Sequence, residues 1–232
     1  MAIFTVDLNC DMGESFGRYT LGRDSELMEY ITSANIACGF HAGDPAVISE
    51  TIEAAVEHGV GIGAHPSYPD LQGFGRRVIA MEPRELKAFL LYQIGALYTL
   101  ARIFGSGLRH VKLHGALYNT AAADPALAAA AAEAVAAVDP GLILVVPWKS
   151  AIEKAARELA LKAAREFFAD RGYSSDGALL NRSHPAAFIT DPLKSLERAL
   201  RAVKEGLVTA ACGQDFAIKA DTVCIHGDAP WA

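Results

Sequence analysis

Several sequence patterns that would reveal a function at once are missing from this chain. It has no GxxxxGK[ST] loop, so an ordinary P-loop nucleotide site is excluded, and no GxGxxG segment follows a predicted strand. It also lacks an HExxH zinc motif and a CxxC pair. No run approaches the roughly 18 uncharged apolar residues of a membrane-spanning helix, because Asp124, Pro125 and Glu133 interrupt the alanine-rich segment 121–138. Any chemistry must therefore be sought in residues that lie far apart in the sequence.

The chain also has no excess of basic residues and only a few cysteines. The 232 residues carry a formal net charge of -6, so the chain has no electrostatic reason to bind nucleic acid or anionic lipid. Its first residues contain no basic segment followed by an apolar run, which argues against a secretory signal peptide. The cysteines are scattered at positions 10, 38, 212 and 224, so we expect free thiols in a reducing compartment. Together these features predict a cytoplasmic protein, with neither nucleic acid nor membrane among its partners.

What the sequence does have is a regular alternation of apolar runs and helical segments. No linker or repeat divides it, so we expect one domain over residues 1–232. Several apolar runs, such as LILVV, are continuous, as is typical of strands that helices cover on both faces. The predicted strands are Ile3–Leu8, Ser33–Ala37, Val60–Ala64, Arg109–Leu113, Leu142–Val146, Arg165–Ala169 and Thr222–His226.

Acid–proline pairs mark the predicted helix starts. In each pair the carboxylate can cap exposed backbone N–H groups, with Glu82 as the weaker cap, and the proline suits the first helical position. The pairs are Asp44-Pro45, Glu82-Pro83, Asp124-Pro125 and Asp191-Pro192. Alternating strands and helices predict right-handed crossovers and a parallel sheet. Periodicity alone does not separate a closed barrel from an open doubly wound sheet.

Polar, ionisable and glycine residues follow six of the seven predicted strands. In a parallel α/β protein the carboxyl ends of the strands share one edge, where active sites form. Histidines come after four separate strands, at positions 41, 65, 114 and 226, a recurrence that is hard to reach by chance. The sequence therefore predicts one polar site assembled from these segments.

The alternation of side chains along a strand narrows this set of candidate site residues. Asp7, Asn9 and Asp11 are two residues apart, so an extended chain points them to one face, and Lys112 and His114 share a face in the same way. Polar groups inside a barrel are costly unless they pair with each other or with a ligand. A desolvated lysine can bind a phosphate or polarise a carbonyl. The structural alternatives are a paired carboxylate at Asp7 and a salt-bridged lysine at Lys112.

Further candidates lie in the loops after the strands. Glu14 either takes part in the chemistry or caps the following turn. Arg76 and Arg77 of the GFGRR segment can hold a phosphate or carboxylate, or lie on a solvated loop. Asp170 and Arg171 either serve the site or form an internal salt bridge.

Metal binding is a further open alternative. Asp11, His65 and His114 come from three strand ends and can form an open His/carboxylate site for a divalent ion.

The sequence resembles the LamB/YcsF family in the segments VDLNCDMGESFG, SANIACGFHAGDP, GAHPSYPDLQGFGRR, HGALYN, FADRGY and CIHGD. These segments run in the family's order from Asp7 to Asp228, so the likeness spans nearly the whole chain. Two places depart from the family pattern: Leu113 stands where the family usually has proline, and the surroundings of Arg182 are looser. The family also usually continues into a final helix, so we expect the last strand to be less well covered here.

The resemblance implies an α/β fold, a seven-stranded parallel β/α barrel of the TIM-like type. It also implies the A subunit of an ATP-hydrolysing 5-oxoprolinase, which works with B and C subunits. The overall reaction opens the lactam of 5-oxo-L-proline to L-glutamate and is coupled to ATP hydrolysis, with ATP and Mg²⁺ shared with those subunits.

Under this interpretation Asp11, Lys112, His114 and His65 are the catalytic candidates. The candidates for substrate or phosphate binding are Asp7, Asn9, Glu14, His41, Arg76, Arg77, Asp170, Arg171, Arg182 and His226. Two alternatives stay open: a metal-dependent amide or carbohydrate hydrolase that works without ATP, and a ligand-binding subunit without catalysis of its own. The sequence does not decide whether the chain forms a homo-oligomer.

Overall fold

Seven parallel strands close into a barrel in the computed structural model, which describes residues 5–227. The last barrel strand pairs with both the first and the sixth, which completes the ring. In chain order the strands are β1 Asp7–Met12, β2 Ser33–Ala37, β3 Gly61–His65, β4 Leu108–Lys112, β5 Ile143–Pro147, β6 Lys162–Phe168, β7 Leu207–Thr209, β8 Asp215–Ala217 and β9 Thr222–His226. The predicted seven-stranded parallel β/α barrel is confirmed, formed by β1 to β6 and β9.

The helices pack around the outside of the barrel. They are α1 Asp24–Leu27, α2 Pro45–Glu57, α3 Pro83–Ile103, α4 Gly115–Ala123, α5 Pro125–Val138, α6 Ala151–Glu158 and α7 Pro192–Glu205. All four acid–proline pairs lie at helix starts, as predicted. The carboxylates of Asp44, Asp124 and Asp191 accept backbone N–H groups of the first turn, whereas Glu82 makes no such cap.

Two parts of the strand prediction were wrong. The first strand is Asp7–Met12 rather than Ile3–Leu8, of which residues 3 and 4 lie outside the described range. A search for apolar runs misplaced it because its inward-facing residues are polar. The short antiparallel hairpin of β7 and β8 was not predicted. The expectation about the chain end concerns residues 228–232, which are also outside the described range.

The apolar core lies between the barrel and its helices. Side chains such as Ile36, Ile62, Leu90 and Leu144 are fully buried there. In residues 5–227 no single helix has the length and apolar composition of a membrane span, although α4 and α5 together, bent by 115° between them, do. The cysteines are free thiols, as predicted; those at positions 10, 38 and 224 are buried, and the one at 212 is exposed.

The carboxyl ends of the barrel strands form what we call the barrel mouth. It is the end at which Met12, Ala37, His65, Lys112 and Phe168 close their strands. The segments that follow these strands are those that the sequence analysis singled out. The fold therefore brings side chains from distant parts of the chain to one place.

Candidate active site

A buried lysine lies at the centre of the barrel mouth. Nζ of Lys112 is 2.8 Å from Oδ1 of Asp11 on β1 and 2.8 Å from Oε1 of Glu166 on β6. It is also 3.1 Å from Sγ of Cys224 and 3.3 Å from Oδ1 of Asn9. The ammonium group thus faces two carboxylates at once, and its own side chain is only 2% exposed.

The opposite charges at this centre stabilise the ionised forms of Lys112 and Asp11. Burial alone would lower the pKa of Lys112, but the carboxylates of Asp11 and Glu166 outweigh it and raise that pKa well above its usual value. Burial pushes the pKa of Asp11 upward, but His65 and Lys112 outweigh it and hold that pKa well below the usual range. At neutral pH the centre therefore holds an ammonium ion against an ionised carboxylate.

A ladder of polar side chains continues below this centre into the barrel. The amide nitrogen of Asn35 donates to Oδ1 of Asn9 at 2.7 Å and to Oδ1 of Asp11 at 2.9 Å. Asn9 in turn donates to Oγ1 of Thr222 at 2.6 Å, and that hydroxyl donates to Asp7 at 2.6 Å. The predicted alternation of Asp7, Asn9 and Asp11 therefore holds, since all three join one network.

Asp7 and Asn9 lie away from the barrel mouth, with Asp7 half-buried at the first residue of β1, so the substrate-binding role predicted for them stays a prediction. Neither lines the cavity at the barrel mouth. Asp7 accepts hydrogen bonds from the hydroxyls of Thr32 and Ser33, both at 2.6 Å, in addition to that of Thr222. This placement favours the structural alternative, a paired carboxylate that links neighbouring strands.

Three histidines and one glutamate meet beside the lysine; we call them the histidine cluster. Its members are His41, His65, His114 and Glu14, all buried, and one ligand atom of each lies within 4.8 Å of those of the other three. The rings of His41 and His114 stack with centroids 3.8 Å apart. Burial is the main cause that lowers the pKa of His41 and of His114 well below the usual value, so both rings are neutral at pH 7.

The predicted metal set of Asp11, His65 and His114 is only partly brought together. Oδ2 of Asp11 lies 3.3 Å from Nε2 of His65, which lies 3.0 Å from Nδ1 of His114. The group that converges around His65 and His114, however, contains Glu14 and His41 instead of Asp11, which converges separately with Cys224 and His226. Asp11 thus contacts Lys112 through Oδ1 and the cluster member His65 through Oδ2.

The GFGRR loop packs directly on the histidine cluster. Gly75 has φ 64°, and a Cβ there would lie 2.7 Å from Cδ2 of His114 and 2.9 Å from Cβ of His41, so only glycine fits. Phe74 has φ 54°, a left-handed conformation that is costly for a residue other than glycine. Its carbonyl accepts a hydrogen bond from Nε2 of His114 at 2.9 Å. The loop thus orients a histidine of the site instead of lying in solvent.

The two arginines of this loop have different positions. Arg76 lines the mouth cavity and stacks over the ring of Phe74 at 4.7 Å. Arg77 forms an ion pair with the buried carboxylate of Asp70, donating from Nε to Oδ1 at 3.0 Å, and does not line the cavity. Only Arg76 is therefore placed to meet a ligand.

Asp170 and Arg171, predicted either as site residues or as part of an internal salt bridge, have separate partners. Asp170 lies 2.9 Å from Nδ1 of His226, and Arg171 donates to the carbonyls of Ala187 at 3.1 Å and Leu180 at 2.7 Å. Burial would raise the pKa of Asp170, but His226 outweighs it and lowers that pKa. Asp170 thus takes part in an internal ion pair, with His226, whereas Arg171 anchors the segment after β6 through carbonyl groups.

A cavity of about 580 Å³ opens above this centre. That volume lies in the range of small-molecule sites, about 300–1,000 Å³. Among the predicted residues its lining includes Asp11, Glu14, His65, Arg76, Lys112, His114, Arg171, Arg182 and His226. The remaining candidates Asp7, Asn9, His41, Arg77 and Asp170 lie behind or beside it.

Sequence analysis missed Glu166, the second carboxylate on Lys112. It lies inside a correctly predicted strand, and an isolated acid in an otherwise apolar strand end was the available signal. Tyr118 was also missed; its ring lines the cavity, and burial is the main cause that raises the pKa of its hydroxyl well above the usual value.

Comparison with known proteins identifies the family of this chain. Residues 6–232 match the model of the LamB/YcsF family. The chain belongs to that family. It is 55% identical over 97% of its length to a protein of Symbiobacterium thermophilum that is named as the A subunit of 5-oxoprolinase, covering 86% of that protein. It is 53% identical over 97% of its length to the protein of the same name from Bacillus subtilis, covering 88% of it.

A solved structure of similar sequence has the same fold. The lactam utilization protein of Thermus thermophilus is 50% identical, with a TM-score of 0.92, and the match covers 95% of this chain and 90% of that one. The barrel described above is thus shared with a lactam utilization protein of closely similar length.

Proposed function

We propose that this chain is the A subunit of an ATP-dependent 5-oxoprolinase, which converts 5-oxo-L-proline to L-glutamate together with B and C subunits. The relatives named as 5-oxoprolinase A subunits, similar over nearly the whole chain, support this proposal. The observation that carries it is the buried centre of Asp11, Lys112 and Glu166, which lines a cavity large enough for a small substrate.

The chemistry of a lactam explains why such a centre is needed. Amide resonance makes the lactam carbonyl a poor electrophile. Transfer of the γ-phosphoryl group of ATP to the carbonyl oxygen yields ADP and an activated imidate phosphate. Water then adds to the imidate carbon, and the ring C–N bond breaks as the nitrogen takes up a proton. This leaves an acyl phosphate, which a second water hydrolyses to glutamate and inorganic phosphate.

The residues of the barrel mouth suit the steps at the carbonyl carbon. The ammonium of Lys112 would stabilise the negative charge that develops on the oxygen. The carboxylate of Asp11 would accept a proton from the attacking water, assisted by His65 at 3.3 Å. Burial raises the pKa of Asp11, but His65 and then Lys112 hold it low in the resting chain; Asp11 would become a better base once the lysine turns its charge toward the substrate oxygen.

Anion binding falls to the arginines that line the cavity. Arg76 and Arg182 would hold the carboxylate of the lactam or its phosphoryl group through charge-assisted hydrogen bonds. The sequence contains no P-loop, so we assign the binding of ATP and Mg²⁺ to a site completed by the partner subunits.

An assay of ATP-dependent glutamate release from 5-oxo-L-proline tests the proposal. The chain is assayed alone and with B and C subunits, as wild type, Asp11→Asn and Lys112→Met. We expect turnover only in the complete mixture and a loss of at least about 100-fold in each variant. Lys87→Met is the matched control, because Lys87 also pairs with a carboxylate, that of Glu133 at 2.7 Å, but on the outer helices.

The same assay separates the alternatives. Full activity in both site variants, with the control unchanged, would remove Asp11 and Lys112 from the chemistry and leave a ligand-binding subunit. The histidine cluster supports the second candidate, a metal-dependent amide or carbohydrate hydrolase. That function predicts turnover without ATP and without partners. Glutamate release that requires ATP and the other subunits would exclude it.

A further inference from the structure

The histidine cluster contains two ring nitrogens that lie within hydrogen-bonding distance of each other. Nε2 of His65 lies 3.0 Å from Nδ1 of His114. Nδ1 of His65 lies 2.8 Å from the carbonyl oxygen of Lys112, and Nε2 of His114 lies 2.9 Å from that of Phe74. A carbonyl oxygen only accepts, so both of these outer nitrogens carry the ring proton. When both rings are neutral, the two inner nitrogens present lone pairs to each other, and Oδ2 of Asp11 also lies 3.3 Å from Nε2 of His65.

His41 and Glu14 direct further ligand atoms to the same place. Nε2 of His41 lies 3.4 Å from Oε1 of Glu14, and Nδ1 of His114 lies 3.5 Å from that oxygen. His41 is 1% exposed, and neither of its ring nitrogens makes a hydrogen bond to any residue in 5–227. A buried imidazole without a hydrogen bond is costly unless another group satisfies it.

We propose that the histidine cluster binds one divalent transition-metal ion, held by Glu14, His41, His65 and His114. Ligand atoms on a tetrahedral zinc ion, at about 2.0–2.1 Å from the metal, are about 3.3 Å apart. The separations of 3.0, 3.4 and 3.5 Å in the cluster are close to that value. Three imidazoles and one carboxylate favour zinc over magnesium or calcium, which prefer oxygen ligands.

The surroundings of the cluster resemble those of a metal site, although the rings of His41 and His114, stacked 3.8 Å apart, have to tilt away from each other for both to bind one ion in their ring planes. Metal-bound histidines usually donate their other ring N–H to a carbonyl or carboxylate, as His65 and His114 do here. The strained loop that supplies the carbonyl of Phe74 thereby fixes the direction of one ligand. Glu14, His65 and His114 also line the mouth cavity, which gives the ion a path of entry.

Metal content is the direct test and does not depend on the proposed function. The purified chain is stripped with a chelator and dialysed against Zn²⁺, and bound metal is measured by elemental analysis. Co²⁺ is added separately, because its visible absorption reports the ligand geometry. We expect one Zn²⁺ per chain and a visible Co²⁺ spectrum. His41→Gln and Glu14→Gln should each lower the affinity for Zn²⁺ at least about tenfold.

Matched variants show whether the loss is specific. His58→Gln and His184→Gln remove histidines from a helix end and a surface loop, and should leave both readouts unchanged. Asp11→Asn should keep the stoichiometry, because Asp11 contacts His65 but is not one of the four proposed ligands. Loss of zinc in Asp11→Asn but not in His41→Gln would overturn the proposed ligand set. Failure of the wild-type chain to bind stoichiometric Zn²⁺ or Co²⁺ would overturn the site itself and leave a shared proton between the two rings.

Discussion

The Nζ atom of Lys112 lies 2.8 Å from Oε1 of Glu166, and the two side chains are 2% and 0% exposed. The partners stand on β4 and β6, with β5 between them, so the pair reaches across the barrel mouth. Asp11 completes the arrangement from β1. The ammonium thus balances the negative charge of two carboxylates, Asp11 and Glu166, and removing it leaves both without a counter-charge.

Lys112→Met should therefore destabilise the chain as well as inactivate it. Loss of one partner of a buried ion pair leaves an uncompensated charge and typically costs about 3–5 kcal/mol. We expect a drop of that order in the free energy of unfolding measured by urea denaturation. Lys87→Met, which breaks a half-exposed pair with Glu133, should change it by less than about 1 kcal/mol.

The double variant Lys112→Met/Glu166→Gln tests the cause of that loss. Lys112→Met leaves the carboxylates of Asp11 and Glu166 without a buried counter-charge. Neutralising Glu166 removes one of these two charges, so the double variant should be more stable than Lys112→Met alone. An equal or lower stability of the double variant would show that the ion pair is not what stabilises this part of the barrel.

The two adjacent arginines of the GFGRR loop should behave differently in the glutamate-release assay. Arg76 lines the cavity, so Arg76→Met should raise the KM for 5-oxo-L-proline at least about tenfold, the value of one charge-assisted hydrogen bond. Arg77 pairs with Asp70 outside the cavity, so Arg77→Met should lower stability and leave KM within about threefold. Equal effects of both variants on KM would contradict this assignment.

The sequence predicted the architecture well because each strand and helix carries its own local signals. The strand bounds of Ser33–Ala37 and Thr222–His226 match the structure, as do the four acid–proline helix starts. It failed at β1, where apolar periodicity is the wrong guide to a strand whose inward face is a polar ladder. A barrel interior filled by hydrogen-bonded amides and carboxylates leaves no hydrophobic pattern.

The site was predicted in part, for a similar reason. Alternation along a strand correctly placed Asp11 and Lys112 on inward faces, but it carries no information about partners on other strands. Glu166 and the role of His41 depend on distances across the barrel, which only the closed fold defines. Likewise, the difference between Arg76 and Arg77 arises from Asp70, which no sequence pattern pairs with either arginine.

Gly63 makes room for a buried histidine on the neighbouring strand. Gly63 and His110 are register partners on β3 and β4, and a Cβ on Gly63 would overlap the imidazole ring. Gly63→Ala should therefore cost about 1–3 kcal/mol of stability through overpacking. Gly95→Ala is the control, because a Cβ there meets nothing within 4 Å in helix α3, and it should be neutral or stabilising.

The overlap can be relieved to test this explanation. His110→Ala removes the ring, so the double variant Gly63→Ala/His110→Ala should be less destabilised than the sum of the two single changes. Urea denaturation of the four proteins provides the measurement. Simple additivity would show that the ring is not what excludes a side chain at position 63.

His110 should also make the stability of the chain depend on pH. Burial is the main cause that lowers its pKa from 6.5 to about 4 in the folded chain, where Nε2 donates to Oδ1 of Asn35 at 2.7 Å. Of the groups that face His110, Asp7 opposes the lowering of its pKa, whereas Lys112, His65 and Arg109 add to it.

The free energy of unfolding depends on pH because the folded and unfolded chains bind the His110 proton with different affinity. Between about pH 6.5 and about pH 4 the unfolded chain takes up a proton at this position that the folded chain does not, so the free energy of unfolding falls as the pH falls through this window. The contribution of His110 is at most about 3 kcal/mol and is fully present above about pH 6.5. His110→Gln keeps a donor for Asn35 but does not titrate. Urea denaturation at several pH values should give a shallower decline for this variant, and identical declines for the two proteins would show that His110 is not responsible.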